Sequence, residues 1–226
     1  MCEWVNNDPL GFERYIATWS SLAAFRHDQT LEWLSPLSGD GYKELRDGLW
    51  SKAQIPGSSP QQAGFWPRRG PQWDGVATVH GANMERGVLL VEAKSHVAEI
   101  ASSPTGAEGD RLEQIRAALN DVKHHLDVPA ETDWATRYYQ ITNRLAYLYY
   151  LRVKLEHPAW LLFVYFVGDD FGSSGSRVFP PTEEAWRPWI NEARHALRLP
   201  RSHKLSDYVF EAFIPAQSPE GGSVEP

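Results

Sequence analysis

A single cysteine, Cys2, stands in the 226 residues, so the chain can form no intrachain disulfide and no cysteine-based zinc site. That scarcity fits a reducing compartment, and the cytoplasm is the expected location. Long apolar runs are also missing. The longest, Ala159 to Val167, is about half of the roughly 20 residues a membrane-spanning helix needs, and it reads as a buried strand. The opening MCEWVNNDPLGFERY has no basic segment followed by an apolar stretch, so it does not read as a secretory signal. Positive charge is in short supply. Lys and Arg total 22 against 29 Asp and Glu, a net charge of −7 and a pI near 5.6, which excludes a generally basic nucleic-acid coat. Aromatic residues are plentiful at 12%, with 10 Trp, and such a chain buries a core instead of staying disordered.

The length suits one domain, expected over 1–215, with 216–226 as a disordered tail. Phe12, Tyr15, Ile16, Trp19, Leu22 and Ala23 recur at three- and four-residue spacing and predict a helix over about 10–27. Tyr42, Leu45 and Leu49, with Asp40 as N-cap, predict another over 41–53. A Pro-, Gly- and Ser-rich loop covers 55–64. Strands follow at 73–79 and 87–96, joined by a hairpin loop over 80–86. After a loop at 102–110 come helices at about 111–126 and 134–156, a strand at 159–169, a helix at 182–198 and a strand near 208–214. This order predicts an α/β (α+β) fold with a mixed central sheet flanked by helices.

Chemistry concentrates in PQWDGVATVHGANMERGVLLVEAKSH. Alternation along a strand puts Glu92 and Lys94 on one face with Leu90 and His96, and Leu89, Val91 and Ala93 on the other. A hairpin closing symmetrically about Asn83 sets Asp74 opposite Glu92, so two carboxylates become neighbours. Like charges placed across a strand pair destabilise it. A divalent cation resolves the conflict, and hard carboxylate oxygens suit Mg²⁺ or Mn²⁺. Lys94, one strand step on, is placed to orient an attacking water and stabilise developing negative charge.

An Asp before a hairpin followed by Glu-x-Lys in the next strand resembles the PD-(D/E)xK nuclease superfamily, with its restriction-endonuclease-like fold. Pro71-Gln72-Trp73-Asp74 stands in for the Pro-Asp element, although no Pro directly precedes the Asp. The superfamily core of helix, three-stranded meander, helix and strand is matched over about 40–170. The resemblance implies a Mg²⁺-dependent hydrolase of phosphodiesters, with DNA a better candidate than RNA, in which Asp74 and Glu92 hold metal and Lys94 is catalytic. It also implies a further acid on the helix before the meander, for which Glu44 is the candidate and Asp47 or Glu32 are alternatives.

The triplet by itself carries no weight, because roughly 0.8 acidic-x-Lys triplets are expected by chance in this composition. Asp121-Val122-Lys123 is a second copy, in a helical stretch where i and i+2 do not share a face. Context separates the two copies: the first has an apolar strand, a hairpin and an upstream Asp. Arg137, Gln140 and Arg144 form a polar stripe on the long aromatic helix, and Gln140 is similar to a Gln that some branches of the superfamily carry beside the active site. The arginines of that stripe, together with Arg68 and Arg69, suit phosphates, and a solvent-facing edge or loop is the plain alternative. Lys123, His124 and His125 diverge around a helix and do not make a zinc site, and His96 reads as a strand-end histidine. Trp50, Trp66, Trp73 and Trp134 are expected in the core rather than stacked on bases.

The acidic balance weakens affinity for duplex, which depends on phosphate neutralisation, unless a locally basic cleft or a homodimer offsets it. A catalytically inactive binding or assembly module on the same fold is the second reading, and an unrelated α+β protein with decorative hairpin charges the third.

Overall fold

The structure is a computed structural model describing residues 1–27, 31–169 and 177–216. The tail expected over 216–226 therefore lies, apart from Ala216, outside the described residues. Three short helices, α1 (Cys2–Asn6), α2 (Pro9–Arg14) and α3 (Ser20–Phe25), lead into strand β1 (Glu32–Ser35) and helix α4 (Leu49–Lys52). Strands β2 (Gly75–His80) and β3 (Arg86–Lys94) precede helices α5 (Gly109–His125) and α6 (Tyr139–Tyr149). Strand β4 (Ala159–Val167), helix α7 (Glu183–Ala196) and strand β5 (Val209–Pro215) complete the fold.

The five strands form one mixed sheet in the order β1-β2-β3-β4-β5. β1, β2 and β3 are an antiparallel meander, and β4 and β5 continue parallel to β3. Parallel strands need helices on both faces, and the near-continuous apolar run of β4 reflects that double burial. Val88, Leu90, Leu161 and Phe163 face α4 to α7 on one side, while Leu89, Val91, Leu162 and Val164 face α1 to α3 on the other. The fold is thus α/β, a mixed sheet between two helical layers. No helix among the described residues is long and apolar enough to cross a membrane.

The β2–β3 hairpin has the symmetric register expected about Asn83, with Gly75 opposite Val91 and His80 opposite Arg86. Asn83 and Met84 take left-handed backbone in its turn. Several expected elements differ. The helix expected over 10–27 is broken between Arg14 and Ser20 into α2, capped by the Asp8 side chain accepting from the Gly11 amide at 2.8 Å, and α3. The helix expected over 41–53 shrinks to α4, because Tyr42 takes left-handed backbone and Leu45 pairs with Trp73 as an isolated bridge. The expected span of 40–170 also misses β1, the first strand of the meander.

The long helix starts at Tyr139, not at about 134. Tyr138 is left-handed, and the Trp134 carbonyl accepts a hydrogen bond from the Thr142 hydroxyl at 2.7 Å instead of from a helical amide. It ends in a π-helical turn over Tyr150–Lys154. Trp66, Trp73 and Trp134 are buried and Trp50 half-buried, all in the core beneath the sheet.

Candidate active site

Strand β3 ends where α6 crosses the sheet, and this crossing gathers the charged residues. Glu92 and Lys94 are both buried, on the α6 side, at 1% and 6% exposure. The Lys94 ammonium makes an ion pair with Glu92 Oε1 and donates to Gln140 Oε1 at 2.8 Å. The other carboxylate oxygen of Glu92 takes both Arg144 Nε, at 2.6 Å, and a terminal guanidinium nitrogen, at 2.5 Å. Arg144 completes its bonding on the Gln72 carbonyl at 2.7 Å and Asn143 Oδ1 at 2.8 Å, and its guanidinium lies 4.8 Å from the Trp73 ring centroid. A buried carboxylate with two cations has its charge compensated at close range, which offsets the desolvation of all three.

Asp74 sits one residue before β2 and accepts the Ala93 amide at 2.7 Å, tying the start of one strand to the end of the next. Burial, and then the negative charge of Glu92, push its carboxyl up to about 6. The Ala93 amide and Lys94 pull in the opposite direction without reversing the rise. Among the described residues no cationic side chain lies within ion-pair distance of Asp74. The Asp74 carboxylate thus has no paired cation of its own, while Lys94 beside it is engaged by Glu92.

These residues line an open cleft of about 910 Å³ between the β2–β3 strand ends, α5 and α6. Six cationic side chains line it, Arg46, Arg68, Arg69, Lys94, Arg111 and Arg144, against four carboxylates, Glu44, Asp74, Glu92 and Glu99. In a chain of net charge −7 this is a local reversal of sign, and it favours an anion in the cleft. The Arg68–Arg69 loop is held against α6 by Gly70, whose backbone passes so close to the Tyr147 hydroxyl that a Cβ there would run into it.

The cleft gathers Asp74, Glu92, Lys94, Gln140, Arg144, Arg68, Arg69 and Glu44. It does not gather Arg137, which precedes α6 and pairs with Glu192 at 2.7 Å. The three-residue polar stripe therefore divides, with Gln140 turned to Lys94, Arg144 to Glu92 and Arg137 toward α7. Arg144 is internal to the Glu92 cluster rather than extended toward solvent. Glu44 lies in an irregular segment at the cleft wall, exposed and accepting from Gln72 Nε2 at 2.5 Å.

Asp47 accepts the Gly70 amide at 3.3 Å, and Glu32 pairs with His80 and Arg86 on β1. His96 rests against Phe179 beyond the strand end. In the second triplet Asp121 and Lys123 diverge: Asp121 pairs with Lys154 at 3.5 Å, while Lys123 turns inward to the Thr132 carbonyl at 2.9 Å. Arg46 and Arg111 escaped sequence reasoning, since each reads as an ordinary charge on a helix. Arg46 donates to Gln72 Oε1 at 2.5 Å, and only the Leu45–Trp73 bridge brings it beside the motif.

Asp74 and Glu92 offer two hard carboxylates, a donor set that fits Mg²⁺, which keeps several waters and binds through one or two carboxylates plus phosphate oxygens. The observation behind this fit is that both carboxylates line the same cleft, Asp74 without a cationic partner of its own and with its carboxyl raised chiefly by burial. Among the described residues no group of three His, Cys, Asp or Glu side chains is arranged to hold a metal. The protein's share of a shell would thus be these two. Comparison with protein-family models, with curated proteins and with solved structures finds no match to this chain.

Proposed function

We propose that the chain is a Mg²⁺- or Mn²⁺-dependent nuclease of the PD-(D/E)xK type, with a restriction-endonuclease-like core, that hydrolyses phosphodiester bonds in DNA. The observation that carries this reading is the meeting of Asp74, Glu92, Lys94 and Gln140 at the head of a cleft rich in arginine. The meander β1-β2-β3, followed by helices and the parallel strand β4, agrees in order with the core that the resemblance implies.

Asp74 and Glu92 would hold the metal, with Glu44 close by at the cleft wall. A bound Mg²⁺ supplies Lewis acidity at a phosphoryl oxygen and lowers the pKa of its water. The chain's own residues do the rest. Glu92 and Gln140 occupy two of the three ammonium hydrogens of Lys94, fixing its direction and leaving the third for an attacking water or a phosphate oxygen. Lys94 then stabilises the negative charge that develops as the water oxygen bonds to phosphorus and the bond to the leaving oxygen breaks. Arg68, Arg69, Arg46 and Arg111 neutralise flanking phosphates and set the strand's register without reading sequence.

Cleavage of single-stranded and duplex DNA in Mg²⁺, compared between wild type and Lys94→Ala, tests the assignment. Loss of cleavage in a folded variant supports it, and equal cleavage rejects it. One observation favours the second reading, a catalytically inactive binding module: Glu92 is already neutralised by Lys94 and Arg144. A module of that kind binds DNA without cutting it, and its melting temperature is indifferent to Mg²⁺ and Mn²⁺.

A further inference from the structure

Away from the cleft, α6, α7 and the strands β4 and β5 enclose a second cavity of about 150 Å³. Leu145, Phe163, Ile190 and Leu197 give it apolar walls. This is about the volume at which a buried apolar cavity accepts a benzene ring. Its lining includes a tyrosine whose hydroxyl has no partner among the described residues. Tyr165 is 4% exposed and its ring stacks on Phe213 at 5.4 Å, yet its hydroxyl makes no hydrogen bond to any described residue. The hydroxyl keeps a trace of solvent access, so it is available to donate to an occupant of the cavity.

The rim of the cavity sets the sign of that occupant. Glu211 is spent on Arg187 at 2.7 Å and Arg194 at 2.8 Å, so its charge is already neutralised from within the protein. Arg201 is exposed and makes no ion pair among the described residues. His203 accepts the Leu205 amide on Nδ1 at 3.2 Å, which puts its proton on Nε2 and makes that nitrogen a donor. Burial and the nearby Arg194 hold this imidazole down to about 4, so it is neutral at physiological pH. The cavity thus presents a ring-sized apolar chamber, an unused hydroxyl donor, an imidazole donor and an unspent guanidinium.

We propose that this cavity is a binding site for a small aromatic carboxylate, its ring held by Leu145, Phe163, Ile190 and Leu197 and its carboxylate by the Tyr165 hydroxyl and the Arg201 rim. A water would satisfy the hydroxyl alone and leave the apolar walls and the guanidinium unused. The proposal is independent of the nuclease reading, although Phe163 and Tyr165 lie in register with Glu92 and Lys94 on the neighbouring strand.

Calorimetric titration of the whole chain with benzoate, benzyl alcohol and acetate tests it, on wild type, Tyr165→Phe and Arg201→Ala. Saturable benzoate binding in the millimolar range or tighter is expected, several-fold stronger than either control. Each substitution should weaken it several-fold. A Tyr165→Phe melting temperature at or above wild type would show that the fold is intact and that the hydroxyl lacked a partner. No saturable benzoate binding, equal binding of benzyl alcohol, or unchanged binding in Tyr165→Phe would each overturn the proposal.

Discussion

Asp74→Asn should make the protein more stable, and increasingly so as pH rises. The carboxyl of Asp74 stands at about 6 in the fold against a model-peptide value of 3.8, because burial and Glu92 disfavour its charge. A group whose pKa is raised on folding contributes stability below its unfolded pKa and loses that contribution as pH climbs through the folded value. Between pH 4 and pH 7 the wild type should therefore lose stability at this site while the asparagine variant does not. A rise of about two pH units at 1.36 kcal/mol each sets a ceiling of about 3 kcal/mol, and residual solvent access reduces it to about 2 kcal/mol. Asparagine keeps an oxygen to accept the Ala93 amide, so the strand tie survives.

The assay is urea denaturation of both proteins at pH 4 and pH 7 in EDTA, read as the variant-minus-wild-type difference. That difference should widen toward pH 7 by about 2 kcal/mol in favour of Asp74→Asn. A constant difference, or a wild type more stable at pH 7, would refute the argument that burial and Glu92 disfavour the charged form of Asp74. Adding Mg²⁺ or Mn²⁺ at pH 7 should then raise the wild-type melting temperature and leave the variant's where it was.

Other consequences follow from the same geometry. Glu92→Gln strands Lys94 and Arg144 as buried cations and should cost about 3–5 kcal/mol in denaturant titrations, with part regained in Glu92→Gln/Lys94→Met. Gln140→Ala removes one of the two acceptors that aim Lys94, and should lower the cleavage rate about tenfold or more without loss of the cooperative melt. Arg68→Ser and Arg111→Ser should weaken DNA binding alike across sequences, each reducing the slope of log K against log salt by about 1, as fluorescence anisotropy over a salt series would read.

Much of the sheet was legible because it depends on local alternation. Leu89, Val91 and Ala93 turn one way and Leu90, Glu92 and Lys94 the other, and the hairpin register needed only symmetry about Asn83. What escaped depended on distant partners. β1 has four residues and gains its identity from pairing with β2, so no period in its own sequence marks it. Tyr42, Leu45 and Leu49 have helical spacing, but Leu45 is claimed by Trp73 from 28 positions on, and the tertiary pairing overrides the local pattern.

The carboxylates and lysine of the candidate site could be read from strand geometry. The role of Arg144 as the counter-ion of Glu92 could not, since it requires the angle at which α6 crosses β3. The positive lining of the cleft was hidden by a net negative sequence, because Arg46 and Arg111 come from segments whose approach to β3 only the fold determines.

The central claim is that Asp74, Glu92 and Lys94 form a metal-dependent phosphodiesterase centre. The most direct measurement is the single-turnover rate of DNA cleavage with saturating Mg²⁺ and with EDTA, on wild type, Asp74→Asn and Lys94→Ala purified in parallel. The account predicts Mg²⁺-dependent cleavage by wild type and a fall of about a hundredfold or more in both variants. Cleavage that persists in both variants, or a wild type that binds DNA and leaves it intact in Mg²⁺ and in Mn²⁺, would contradict it.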